Sequence, residues 1–227
     1  MLLEERNFSN LDLACKTLAS ELASILREAI RDRGRAVLAV SGGSTPEFVF
    51  KYLCNEDLDW SCVVITLTDE RWVPSDHPDS NENLVRCFLL KGLAKAANFI
   101  PMYVAENFLE KGQVTCEKRL SEIPQPFDAV YLGMGEDGHF ASLFPQDEAI
   151  NVRNSKCVAV PSSDSRQARM SLTVPVILAA RKIFLLFSGV DKLKKYAEAK
   201  QGGSYDDVPI RLVLNQENTP VSVLISK

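Results

Sequence analysis

Asp128-Ala-Val-Tyr-Leu-Gly-Met-Gly-Glu-Asp-Gly-His-Phe-Ala-Ser-Leu-Phe-Pro145 runs a short apolar segment straight into a glycine-rich turn that carries a carboxylate and an imidazole. Ala129 to Leu132 is apolar throughout and bounded by turn formers, the pattern of a strand buried on both faces of a parallel sheet. In open α/β sheets ligands bind at the carboxyl ends of strands, so the turn falls where chemistry is expected. Gly133, Gly135 and Gly138 let the backbone approach a ligand closely. Asp137 and His139 stand two residues apart, and an imidazole titrates near neutrality, so the pair is a candidate catalytic couple.

Gly133-Met-Gly-Glu-Asp-Gly138 also fits the G-x-G-x-x-G spacing of dinucleotide sites. Such a site needs an amphipathic helix next and an acidic residue about 20 positions on. There the chain reads Arg153-Asn-Ser-Lys-Cys157, without a carboxylate, and no nucleotide cofactor is expected.

Two further strand ends carry chemistry. Ala36-Val-Leu-Ala-Val40 leads into Ser41-Gly-Gly-Ser-Thr-Pro46 and a helical run, with Thr45 expected as N-cap and Pro46 as the first helical residue. A glycine turn before a helix N-terminus is an anion site in waiting, because free N–H groups and the positive dipole end coincide. Ser41, Gly42, Gly43, Ser44 and Thr45 are the candidates; the plainer reading is a tight turn whose hydroxyls cap the helix. Cys62 to Leu67 is the next strand, followed by Thr68-Asp-Glu-Arg-Trp-Val-Pro74. Asp69, Glu70 and Arg71 either form a solvated turn or face a cleft and pair with one another. Ser80 is positioned to cap a helix, holding Asn81 near the same mouth.

Elsewhere helices are expected over 9–33, around 113–122, to Ala180 after Arg169-Met-Ser-Leu-Thr-Val-Pro175, and from Lys192 to about Lys200. Phe99–Val104 reads as an edge strand because of Pro101, and strands are expected at Cys157–Val160, Ile183–Ser188 and Val221–Ile225. Strands alternating with helices predict an α/β fold, a mostly parallel sheet with helices on both faces, in one domain spanning 1–227.

With 46% hydrophobic and 25% charged residues the chain can build a sizeable core. A net charge of -4 offers no basic field, so nucleic acid is not an expected partner. No apolar run is long enough to span a bilayer, and Met1 to Arg6 lacks the basic start and apolar core of a signal peptide, so no membrane association and a cytoplasmic location are expected. Six cysteines lack C-x-x-C spacing and only His77 and His139 are present, so reduced thiols and no metal are expected. No motif specifies an oligomeric state.

The loops S-G-G-S-T-P at 41–46, D-E-R-W-V-P at 69–74 and G-M-G-E-D-G-H-F-A-S-L-F-P at 133–145 together resemble the 6-phosphogluconolactonase family, which shares a Rossmann-like sugar-phosphate fold with the glucosamine-6-phosphate deaminases. Arg169-Met-Ser-Leu-Thr173 and Ser188-Gly-Val-Asp-Lys192 resemble the family's later signatures. The resemblance implies hydrolysis of the δ-lactone of 6-phosphogluconate in the pentose phosphate pathway, with a sugar-phosphate lactone as the small-molecule partner and no cofactor. It implies His139 as general base and acid on an attacking water, with Asp137 orienting it. Arg71 would bind charge on the sugar or the oxyanion, and Asp69 would support it. The Ser41–Thr45 loop, Arg169 and Lys192 would hold the phosphate. Phe140 departs from the threonine many members have, and Phe144 stands where the deaminases carry a glutamate. Two alternatives remain open: a deaminase-like isomerase, and a sugar-phosphate-binding regulator without turnover.

Overall fold

Residues 2–106, 108–164 and 166–226 are described by a computed structural model of the chain. The elements run β1 (Leu3–Phe8), α1 (Leu11–Arg33), β2 (Ala36–Val40), α2 (Ser44–Leu53), β3 (Val63–Leu67), β4 (Asp69–Arg71), α3 (Asn81–Phe88), β5 (Asn98–Ile100), α4 (Leu109–Glu122) and β6 (Ala129–Leu132). They continue with β7 (Cys157–Val160), β8 (Arg169–Leu172), α5 (Val174–Leu178), β9 (Ile183–Ser188), α6 (Val190–Lys200), α7 (Arg211–Leu214) and β10 (Val221–Ser226).

Helix α1 starts where Asn10 accepts the Leu13 N–H and ends at Gly34 in the left-handed region. Its apolar face, Ala14, Leu18, Leu22, Leu26 and Ala29, recurs at helical spacing and is buried. It packs on β2, β6, β9 and β10. Each fully buried leucine there contributes about 2 kcal/mol of transfer free energy.

Seven strands form one sheet in the order β1-β10-β9-β6-β2-β3-β5, and every pair is parallel. Every residue of β2 and β6 is buried, which is why they read as unbroken apolar runs. Val40 lies opposite both Leu67 and Tyr131, so β2, β3 and β6 finish nearly in step. Their next residues therefore emerge side by side.

Crossovers between parallel strands are right-handed, and β2 to β3 moves toward the β5 edge while β6 to β9 and β9 to β10 move toward the β1 edge. Helices serving opposite directions cover opposite faces. The direction reverses between β2 and β6, and the crevice outside their carboxyl ends is the switch point where such sheets bind ligands.

Four expectations are corrected. Residues 69–71 and 169–172 are strands, and with 157–160 they form a second, antiparallel sheet in the order β4-β8-β7, pairing Asp69 with Ser171 and Arg71 with Arg169. A charged three-residue strand has no apolar period to announce it; its partner makes it a strand. Strand β1, Leu-Glu-Glu-Arg-Asn-Phe, also escaped the sequence reading, because an edge strand with half its side chains in water needs no apolar run. The Phe99 segment is an edge strand, but only over Asn98–Ile100. Finally, α2 is capped by Gly43, not Thr45. Gly43 has φ 112, a conformation that excludes side chains, so the chain turns into the helix two residues early and Pro46 falls at its third position.

Candidate active site

Three loops meet at the switch point, and the Ser41 hydroxyl joins them. It lies 2.8 Å from Thr68 Oγ1 and accepts the Gly133 N–H at 3.4 Å, while the Ser41 N–H donates to the Tyr131 carbonyl. Ser41 thus ties the three loops together at the floor of the crevice. The crevice it anchors has a volume of about 230 Å³ and is lined by Ser41 to Pro46, Asp69, Arg71, Asn81, Gly133 to Gly135, His139, Ala141, Arg169, Leu186 and Lys192. All the residues expected to act in catalysis or substrate binding are on this wall except Asp137, which is hydrogen-bonded to His139.

In the loop after β6 His139 Nδ1 is 2.6 Å from Asp137 Oδ1, and the His139 N–H donates to the same oxygen at 3.1 Å. Burial acts to raise the Asp137 carboxyl, but the hydrogen bond and charge of His139 outweigh it and hold the group below its ordinary value. An ionised carboxylate only accepts, so in the neutral imidazole Nδ1 carries the proton and Nε2 the lone pair that can take a proton from elsewhere. The geometry requires Gly135: a Cβ there would stand 2.1 Å from His139 Nδ1. On its other side the imidazole packs on Phe144, with ring centroids 4.4 Å apart. Arg166, which the sequence reading did not select, lies 4.0 Å over that same ring and pairs with Asp147.

Asp69 is buried and does not reach His139. Its carboxylate accepts the Ser142 hydroxyl at 2.6 Å and the Thr68 hydroxyl at 3.2 Å, and lies 3.7 Å from Arg169. It therefore ties β4 to the His139 loop and to β8. Ala141, next to Ser142, takes φ 48, a strained value for a residue with a side chain, at the point where that tie is made. Of the two aspartates, Asp137 orients the imidazole and Asp69 braces the wall.

The opposite wall is an anion cradle. By the geometry of a helix start, the N–H groups of Gly43, Ser44 and Thr45 lack intrahelical acceptors, and the dipole of α2 adds positive potential. Asn81 roofs this loop, donating to the Asp69 carbonyl at 2.8 Å; a Cβ on Gly42 would meet its side-chain oxygen at 1.8 Å. Arg71 donates to the Asp79 carbonyl, yet its Nε, like that of Arg169, is buried without a hydrogen-bond partner. Burial depresses the Arg169 pKa, and the like charges of Arg71 and Arg166 act in the same direction against the pull of Asp69. Lys192, in the first turn of α6, completes a cluster of cations whose repulsion an anionic ligand would relieve.

Two residues of the 69–74 stretch, Trp72 and Glu70, lie off the crevice wall. Trp72 meets Tyr103 with ring centroids 5.0 Å apart and tilted by 60°, and lies over Gly112, where a Cβ would approach to 2.2 Å. Glu70, read with its neighbours as a charge run, is fully buried. Nothing local distinguishes it from Asp69 and Arg71.

A parallel α/β sheet whose switch-point crevice sets a histidine–carboxylate pair beside an anion cradle has the build of an enzyme for a small phosphorylated molecule. The chain belongs to the family of glucosamine-6-phosphate isomerases and 6-phosphogluconolactonases, matching it over residues 9–222. A crystal structure of a 6-phosphogluconolactonase from Shewanella baltica superposes with a TM-score of 0.96 at 41% identity, covering 99% of this chain and 98% of that one. The 6-phosphogluconolactonase of Neisseria meningitidis is 38% identical, with 97% of each chain covered. That of Pseudomonas aeruginosa is 38% identical over 87% of this chain and 85% of its own length.

Proposed function

We propose that this protein hydrolyses 6-phospho-D-glucono-1,5-lactone to 6-phosphogluconate in the oxidative pentose phosphate pathway. The observation that carries the reading is His139, held through Nδ1 by Asp137 at 2.6 Å, on the wall of a crevice that also carries Arg71, Arg169 and Lys192. The name borne by the relatives above supports the same substrate.

His139 Nε2 takes a proton from water as the water oxygen attacks the lactone carbonyl. The tetrahedral oxyanion so formed is stabilised by the Arg71 guanidinium. As the C–O bond to the ring oxygen breaks, the imidazolium returns the proton to that oxygen, leaving a hydroxyl and a carboxylic acid, which then ionises to the carboxylate and releases one proton to solvent. Asp137 holds the ring and favours the transient cation. The phosphate at the far end sits on the N–H groups of Gly43, Ser44 and Thr45, with Arg169 and Lys192 supplying the balancing charge. Asn81 keeps the glycine loop in shape, and Asp69 braces Arg169 and the catalytic loop.

Phe144 supports hydrolysis over deamination, since it presents a ring to His139 where the deaminases of this fold carry a glutamate. Six unpaired cysteines suit a reducing compartment such as the cytoplasm. The test is proton release from freshly generated lactone, run beside ammonia release from glucosamine 6-phosphate. Rapid hydrolysis without ammonia is expected; ammonia release, or binding of sugar phosphate with no turnover, would overturn the reading.

A further inference from the structure

Glu70 is a buried carboxylate on the active-site strand that the mechanism above does not use. Its Oε1 accepts the N–H groups of Arg71 at 2.8 Å and Asn81 at 2.7 Å; its Oε2 accepts the N–H of Glu82 at 2.7 Å and the Ser80 hydroxyl at 3.1 Å. Four donors converge on it, three of them main-chain N–H groups that can only donate. The side chain therefore replaces the intrahelical acceptors that Asn81 and Glu82, at the start of α3, do not have.

The two residues on either side of this clamp line the crevice. Arg71 follows Glu70 directly, and its guanidinium donates at 2.6 Å to the carbonyl of Asp79, just before the capping Ser80. Asn81 reaches back to the Asp69 carbonyl and covers Gly42. Strand β4 has only three residues and one strand partner, so its link to α3 is what orients it on the other side. We infer that Glu70 is the positioning residue of the crevice, a clamp that locks β4 onto α3 and so aims Arg71 at the reacting carbonyl while pinning Asn81 over the glycine loop. It touches no substrate. The inference rests on the lactonase reading for the identity of the reacting group.

Glu70→Gln keeps the shape but turns an NH2 toward two of the four donors. At pH 8, kcat/KM for the lactone should fall by about tenfold to a hundredfold, the range expected when reacting groups shift by a fraction of an ångström to about 1 Å. A loss of general stability would lower activity by the same factor in any background, whereas a positioning role acts only through its targets. In an Arg71→Ala/Asn81→Ala background the further effect of Glu70→Gln should shrink to below about threefold. Ser80→Ala, which removes one donor and leaves the carboxylate intact, gives a milder version if Glu70→Gln does not fold. It should lower kcat/KM by about two- to fivefold in the wild type, and not in the double variant.

Equal losses in both backgrounds, or a folded Glu70→Gln protein with wild-type kcat/KM, would overturn the role of Glu70. The same comparison read as the calorimetric Kd for 6-phosphogluconate separates the two failures. A wild type that does not turn over lactone, with the coupling still present in Kd, sinks the lactonase reading; turnover without coupling sinks the clamp.

Discussion

The Asp137 carboxylate accepts from both the ring and the backbone of His139, at 2.6 and 3.1 Å, so one oxygen sets the imidazole's tautomer and its orientation. His139→Ala should lower kcat by about two to four orders of magnitude with the fold retained, the range for loss of a positioned general base. Asp137→Asn can offer Nδ1 an NH2 in place of an acceptor, favouring the wrong tautomer, and should cost about tenfold to a hundredfold in kcat with little change in KM. Steady-state kinetics with circular dichroism checks both. Near wild-type kcat in folded His139→Ala would remove the residue from the mechanism.

Gly135 tests the same geometry from the backbone side. A methyl group there would sit 2.1 Å from the ring nitrogen and 2.6 Å from the Asp137 carboxylate, so Gly135→Ala must push the pair out of place. We expect at least about a hundredfold loss of kcat/KM, as for other misplacements of about 1 Å. The loop lies outside the sheet, so the unfolding midpoint should move little. A fully active Gly135→Ala protein would mean that the close approach is dispensable.

The cation cluster makes a substrate-dependent prediction. A charge-assisted hydrogen bond contributes about 1.5 to 3 kcal/mol, so Arg169→Ala or Lys192→Ala should each weaken binding of 6-phosphogluconate by about tenfold or more. Hydrolysis of an unphosphorylated gluconolactone should change far less. Losses of equal size on both lactones would show that neither side chain holds phosphate. Arg169 also neighbours Asp69, so Lys192 is the cleaner probe.

Glu70 should leave a mark on stability as well as on rate. Burial pushes its carboxyl up from 4.5 to about 7, with Asp69 adding to the rise and the N–H groups of Asn81, Glu82 and Arg71 opposing it. A folded-state pKa above the unfolded one means that between about 4.5 and about 7 the folded protein holds a proton that the unfolded chain has released. Stability from this group is therefore greatest at the acid end of that window and declines as pH rises through it. Glu70→Gln cannot titrate. The wild-type minus variant difference in unfolding free energy should fall by about 1 kcal/mol per pH unit across the window and level off above it. Denaturant titrations at several pH values measure this, and a flat difference would show Glu70 ionised throughout.

Much of the molecule is legible in local sequence because the signals are local. A strand buried on both faces, such as Ala36–Val40 or Ala129–Leu132, needs an unbroken apolar run. A turn that must carry main-chain donors needs glycine, and His139 with Asp137 needs only two residues of chain to meet. These segments determined the parallel sheet, the three loops and most of the residues now found on one wall.

What the sequence did not carry are contacts between segments far apart in the chain. Asp69 accepts from Ser142, 73 positions away, a contact that no local pattern around either residue announces. The antiparallel sheet of β4, β8 and β7 has no apolar period of its own, and Glu70 looks like any charge until α3 folds its first N–H groups onto it. The difference is physical: burial on both faces and turn geometry constrain the residues that undergo them, whereas a buried charge is explained by its partners, and tertiary packing brings those partners to it.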